Sequence, residues 1–190
     1  MQMIRRRRGF IIGVLSLGLL AGVALTASPA QAVTSNGPYY AEPAWDQKLD
    51  AAMRFVVLSN WNNEAVLDRE TGLVWEQAPN PTQQIWDRSI NQCLFSRVGG
   101  RMGWRLPSIS ELASLIDPSV ASPGPTLPVG HPFSNVSGPA KLYWSATTRP
   151  DEPLDAFAAS FEIGAVSAGL KASLTLRAWC VRGGMNADAY

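Results

Sequence analysis

The stretch that decides the fold is GGRMGWRLPSISEL, residues 99–112. Its leading glycines let the chain leave a preceding helix, because glycine reaches backbone angles that other residues avoid. Pro107 ends any strand and begins a turn. Ser108 and Glu111 have the spacing of a capping box, in which each side chain accepts a hydrogen bond from the other residue's backbone amide. The stretch therefore predicts two helices joined at a corner that Trp104 anchors.

Hydrophobic periodicity predicts the remaining elements. One helix follows the proline-rich residues 79–82 and ends at the glycines, and a second runs from about 109 to 116. Strands are predicted at residues 54–58, 65–68, 73–76, 142–148, 157–163 (apolar at odd positions) and 174–182, with turns at 69–72 and 164–169. Strands at both ends and two helices between them predict an α+β domain whose terminal strands share one sheet.

Charge excludes one class of partner. The 190 residues carry 16 Lys and Arg against 15 Asp and Glu. Four of the cations are Arg5 to Arg8, within a leader that contains no acid, so the rest of the chain has 12 cations against 15 acids. This slightly acidic balance argues against nucleic-acid binding, which needs a basic surface.

Residues 1–32 have the pattern of a signal peptide. The arginines precede an apolar run of about 17 residues, which is short for a stable membrane span. Ala30-Gln31-Ala32 is a small-x-small cleavage site, so we expect cutting before Val33 and no stable span afterwards. An uncleaved N-terminal anchor is the alternative. The chain is thus expected to be exported, through a Sec or a twin-arginine signal, to the periplasm or the extracellular space, with residues 33–53 only partly ordered.

Two cysteines, Cys93 and Cys180, are expected to form one structural disulfide, because exported proteins meet oxidising conditions. A metal or redox pair is the alternative. Two cysteines and one histidine make a poor zinc site, and no Cys-x-x-Cys motif is present. The sequence predicts no cofactor and no metal.

Five segments in order resemble the Lcl C-terminal domain family, which is named for a bacterial collagen-like adhesin. They are residues 68–76 (DRETGLVWE), 86–93 (WDRSINQC), 104–107 (WRLP), 143–147 (YWSAT) and 177–184 (RAWCVRGG). Ser89 stands where the family usually has alanine. The resemblance places the domain at residues 54–184, before a loose tail at 185–190. It implies a C-type-lectin-like fold with a mixed or antiparallel sheet, two helices and a long irregular loop, related also to formylglycine-generating enzymes.

The long loop, residues 118–139, contains six prolines and is expected to bind ligand, since stiff irregular loops lose little entropy on binding. The candidate ligand surface comprises His131, Asn135, Lys141 and Arg149. His131 is interpreted as a solvated loop residue, because no activated nucleophile accompanies it. Arg105 is expected to pair with a carboxylate such as Glu111.

The sequence therefore predicts an exported, non-catalytic binding domain for a glycan or a cell-surface protein. Two alternatives remain. One is an envelope-associated enzyme with an unrecognised site, and the other is a structural subunit of an envelope complex. The oligomeric state stays open.

Overall fold

Seven short strands form two antiparallel sheets in the residues that the computed structural model describes, 49–136 and 142–183, and three short helices accompany them. The helices are α1 (Ala51–Arg54), α2 (Trp86–Leu94) and α3 (Ile109–Ser114), with 3-10 turns at Ser59–Trp61 and Val98–Gly100. The strands are β1 (Phe55–Val57), β2 (Ala65–Asp68), β3 (Val74–Glu76), β4 (Leu142–Thr148), β5 (Asp155–Ser160), β6 (Ala165–Leu170) and β7 (Val181–Arg182). The predicted signal peptide and C-terminal tail lie outside the described residues.

The first sheet has the order β1-β2-β3-β7, so strands from both ends of the domain share it, as predicted. Its β2–β3 hairpin is also confirmed. The Gly72 amide donates to the Asp68 carbonyl at 2.8 Å, and Gly72 has a φ of 71°, a conformation that favours glycine. The described chain is already packed at its start, where the Leu49 amide donates to the Glu70 carboxylate at 2.7 Å.

The corner anchored by Trp104 is confirmed, but the preceding helix α2 ends at Leu94 and not at the glycines, which lie in the separate 3-10 turn. Trp104 is 1% exposed, and its indole Nε1 donates to the Val98 and Arg101 carbonyls at 3.2 and 3.1 Å. The Ser108 hydroxyl accepts from the Glu111 amide at 3.2 Å, and the Glu111 carboxylate accepts from the Ser108 amide at 2.8 Å. The capping box thus starts α3, which ends earlier than the predicted residue 116.

The second sheet, β4-β5-β6, corrects the prediction for residues 164–169. The chain turns at residues 161–164, where Gly164 has a φ of 65°, and β6 occupies the predicted turn. The backbone at Gly169 passes close to Leu174: a Cβ there would lie 2.3 Å from a methyl carbon of that side chain. Gly164 and Gly169, which together suggested one turn, therefore mark two features: Gly164 lies in the turn, and Gly169 lies where β6 passes close to Leu174.

The alternation predicted for residues 157–163 is also wrong. Ile163 lies in the turn and is 61% exposed. Ala158 and Ala159 are both buried, because an apolar cluster covers each face of β5.

The last predicted strand, residues 174–182, is not one element. Only β7 joins the first sheet, whereas Arg177 bridges to Tyr143 of the second and Leu176 bridges to Gln84. The segment crosses between the sheets and exchanges backbone hydrogen bonds with a different partner at each step. The single mixed or antiparallel sheet of the prediction is therefore two sheets.

Two apolar clusters form the core. One contains Trp75, Tyr143, Phe161 and Trp179, and the other contains Trp104, Trp144 and the two cysteines. The loop expected to stay irregular contributes Leu127, Phe133 and Val136 to the first cluster. Its described part is thus anchored in the core.

The predicted disulfide is confirmed. Cys93 and Cys180 are bonded, with Cα atoms 5.3 Å apart, and both are fully buried. The bond ties the last turn of α2 to the segment that enters β7.

Candidate functional site

The three described residues of the predicted ligand surface, Arg149, His131 and Asn135, lie in different surroundings. Arg149 forms an exposed pair with Asp151, with nitrogen–oxygen distances of 2.9 and 2.7 Å. His131 is half-buried and stacks on Phe133 with ring centroids 6.0 Å apart, so its interpretation as a solvated residue is wrong. Burial lowers the pKa of His131, and the Phe133 backbone partly opposes this shift. Lys141 lies outside the described residues. Of the three described residues, only Asn135 lines a depression described below.

The corner residues have structural roles. The Arg105 guanidinium forms two hydrogen bonds to the Glu111 carboxylate, at 2.7 and 2.5 Å, and a third to the Gly183 carbonyl at 3.0 Å. The expected pairing of Arg105 with Glu111 is thus confirmed. The Pro107 carbonyl accepts from Ala146 of β4 at 2.7 Å, which fixes the corner to the second sheet.

A depression of about 500 Å³ opens where β3 ends. Its walls come from the loop after β3, from the end of α2 and from the end of the long loop. Its polar lining residues are Glu76, Asn80, Gln92, Ser96 and Asn135. The apolar part of the wall includes Pro79, Pro81 and Val98. We call this the Glu76 depression.

A second depression of about 430 Å³, the Glu64 depression, adjoins the first because both are lined by Ala78 and Val98. Its polar lining residues are Asn63, Glu64, Gln77 and Arg97. The two depressions together form what we call the groove. Side-chain amides line both depressions.

Hydrogen bonds fix the long loop against one wall of the groove. Gln77 donates through Nε2 to the Pro132 carbonyl at 2.6 Å, and its backbone carbonyl accepts from the Ser134 amide at 2.9 Å. Asn135, with a φ of 61°, donates through Nδ2 to the Pro79 carbonyl at 2.8 Å. The wall is therefore formed before any ligand arrives.

Glu76 is the main functional candidate that the sequence did not indicate. It is 6% exposed, and its carboxylate accepts from the Ser96 hydroxyl and from the Cys180 amide, each at 3.1 Å. Burial raises the pKa of Glu76 to about 7, although both hydrogen bonds oppose the shift. This carboxyl group can therefore bind or release a proton near neutral pH. The sequence signal that could have indicated Glu76 is strand alternation. Glu76 follows Leu73, Val74 and Trp75, and alternation places it on the same face of the strand as the apolar Val74.

Replacing Glu76 with glutamine should make stability less sensitive to pH. The folded-state pKa of about 7 exceeds the ordinary value of 4.5, so the stability that Glu76 contributes is complete below pH 4.5 and lost as the pH rises through 7. Glutamine does not titrate. Between pH 4.5 and 8, Glu76→Gln should therefore gain about 3 kcal/mol relative to wild type. Urea unfolding across this range measures the difference, and parallel curves would contradict it.

The residues described hold no group of three or more His, Cys, Asp or Glu side chains that could bind a metal ion. No helix within them is long and apolar enough to cross a membrane. The disulfide is characteristic of compartments outside the cytoplasm.

The two sheets, the capped corner and the buried disulfide define a disulfide-linked α+β domain with an open, amide-lined groove. The family model of the Lcl C-terminal domain matches residues 64–182. The chain belongs to this family, and the match covers the corner, both cysteines and every lining residue of the groove except Asn63. A search of curated proteins finds no significant match.

Proposed function

We propose that this chain is an exported, non-catalytic binding domain that recognises a glycan on a cell surface. The family name, taken from a bacterial adhesin, supports an adhesion-related role. The observation that carries the proposal is the groove, in which five amide side chains share one surface. They are Asn63, Gln77, Asn80, Gln92 and Asn135.

Amides suit sugar hydroxyls, because both groups donate and accept hydrogen bonds. An amide has two donor and two acceptor positions. The Gln77 side chain donates to the Pro132 carbonyl and accepts from the Ser134 hydroxyl at 3.2 Å, which occupies two of its four positions. Asn80 accepts one bond, from the Thr82 amide at 2.9 Å. The other amide positions of Gln77 and Asn80 are available to a ligand, whereas the Gln92 oxygen already accepts a hydrogen bond from the Gln84 amide nitrogen.

The groove also loses little freedom on binding. Prolines at positions 79 and 81 restrict its wall, and the hydrogen bonds of Gln77 and Asn135 hold the long loop in place. A site that is already formed retains more of its interaction energy as affinity. This supports ligand recognition at the end of the long loop, where Asn135 and the residues that face it across the groove would contact the ligand.

A C-type-lectin-like fold is part of the same proposal. The pairing of terminal strands in one sheet and the long irregular segment before β4 support it.

A glycan array probed with the disulfide-bonded protein tests the function. We expect wild type to bind a defined set of glycans, and Asn80→Ala combined with Gln92→Ala to weaken that binding by about tenfold or more, since several hydrogen bonds are lost. Asn91→Ala is the matched control, because Asn91 is an exposed amide beside Gln92 that does not line the groove.

Three outcomes would contradict the proposal. These are an array without a bound glycan, a double variant that binds like wild type, and an equal loss in the Asn91→Ala control. Mass spectrometry of the recovered glycan tests the non-catalytic part, because a cleaved ligand would show that the domain is an enzyme.

A further inference from the structure

We infer that the Glu76 depression binds a positively charged amino group, so that the recognised glycan is one that carries free primary amines. This inference rests on the proposed glycan-binding function and names the ligand class.

Glu76 differs from the other buried carboxylates of the described residues. Those carboxylates belong to Asp68, Glu70 and Glu111, and each pairs with an arginine. Among the described residues, no lysine or arginine lies within ion-pair distance of Glu76. Glu76 is also the one of the four that lines the groove. The buried carboxylate that lacks a cation among the described residues therefore lies where a ligand can reach it.

The surroundings of Glu76 favour a cation as ligand. A buried carboxylate is unfavourable unless a positive charge compensates it, and this one instead retains a proton up to about pH 7. An ionised carboxylate can accept about four hydrogen bonds, whereas Glu76 accepts two. An ammonium group supplies both the missing charge and up to three donors.

The other groups that line the groove do not supply this charge. The remaining residues of the Glu76 depression are uncharged. The adjoining depression has one acid and one base, Glu64 and Arg97, which are both exposed. The Arg97 guanidinium donates to the Ser96 carbonyl at 3.1 Å. An anionic ligand would be repelled by ionised Glu76, and a neutral ligand would not supply the positive charge that compensates it.

The test compares a tetrasaccharide of glucosamine with its fully N-acetylated counterpart, by NMR titration of the disulfide-bonded protein at pH 6.5. We expect the amine form to bind about tenfold more tightly or better, because the ion pair forms in a partly desolvated site. Binding of the amine form should also lower the pKa of Glu76, read from its side-chain carboxyl carbon. Glu76→Gln keeps the shape of the side chain, with an acceptor oxygen for the Cys180 amide and an NH2 group that can donate to the Ser96 hydroxyl, and it should abolish the preference. Glu152→Gln is the matched control and should keep the preference, because Glu152 is exposed and lines neither depression, and Glu64→Gln tests whether the acid of the adjoining depression supplies the preference instead.

The outcomes separate this inference from the proposed function. Equal binding of the two tetrasaccharides, with no effect of Glu76→Gln, overturns the amino-group site and leaves glycan binding intact. A preference lost in Glu64→Gln but kept in Glu76→Gln also overturns it. Ethanolamine serves as a third probe. If it shifts the Glu76 resonance while neither tetrasaccharide binds, the amino-group site stands and the glycan function is wrong. If no probe shifts the Glu76 resonance, the amino-group site is wrong.

Discussion

Replacing Cys93 and Cys180 together with alanine should lower the free energy of unfolding by about 4–5 kcal/mol. The two residues are separated by 87 positions, so the bond removes much of the freedom of the unfolded chain. Both side chains are fully buried, and the bond connects α2 to the entry of β7. Urea denaturation of wild type and double variant measures the loss.

The urea m-value and the size of the loss together test whether the bond acts mainly on the unfolded chain. If it acts on the unfolded chain, the urea m-value should rise when the bond is removed, because the unfolded state becomes more open. Ser89→Ala is a suitable control, since Ser89 is buried on the same helix but its hydroxyl only bonds the Ile85 carbonyl of the preceding turn. A double variant that unfolds within about 1 kcal/mol of wild type would contradict the chain-entropy account.

The features that the sequence predicts correctly depend on neighbouring residues. Ser108 and Glu111 form their capping box within one helical turn, and the turn after Asp68 is closed by Gly72. In both cases the hydrogen-bonding groups are at most four positions apart, so residue types alone specify the geometry. The disulfide needed only the count of cysteines and an expected compartment.

The features that the sequence does not predict depend on distant partners. Residues 174–182 alternate like a strand, but their hydrogen bonds go to Gln84, then β4, then β3. Gly169 resembles a turn residue in the sequence, and its close approach to Leu174 is evident only in the structure. Periodicity reports which side of a segment is apolar, and it does not report which sheet receives its backbone bonds.

The groove was only partly predictable for the same reason. Asn135 was selected because it lies in the long loop, but its neighbours in the groove come from the end of β3 and the end of α2. Glu76 carries no local signal of its desolvation, since that depends on the packing of Ser96 and Cys180 around its carboxylate. A carboxylate on the inward face of a strand was the single available indication.

Arg54 is a second buried charged residue whose surroundings depend on distant parts of the chain. Replacing it with methionine should lower the free energy of unfolding by about 3–5 kcal/mol. The guanidinium is 1% exposed and binds the Asp68 carboxylate through two bonds, at 2.9 and 2.8 Å. It lies 3.2 Å from the Glu70 carboxylate and also donates to the Ser114 carbonyl at 2.9 Å. Arg54 thus joins β2 and its turn to α3, and methionine would leave two buried carboxylates without a cation.

A combined variant tests whether those unpaired charges cause the loss. Adding Asp68→Asn and Glu70→Gln to Arg54→Met removes the charges, and most of the lost stability should return, because a buried ion cluster contributes little beyond the neutral groups that replace it. Arg69→Met is the matched control, since Arg69 is exposed and its replacement should change stability by less than about 0.5 kcal/mol. If the combined variant is as unstable as Arg54→Met alone, the lost packing and the lost bond to Ser114 are responsible, and the uncompensated carboxylates are not.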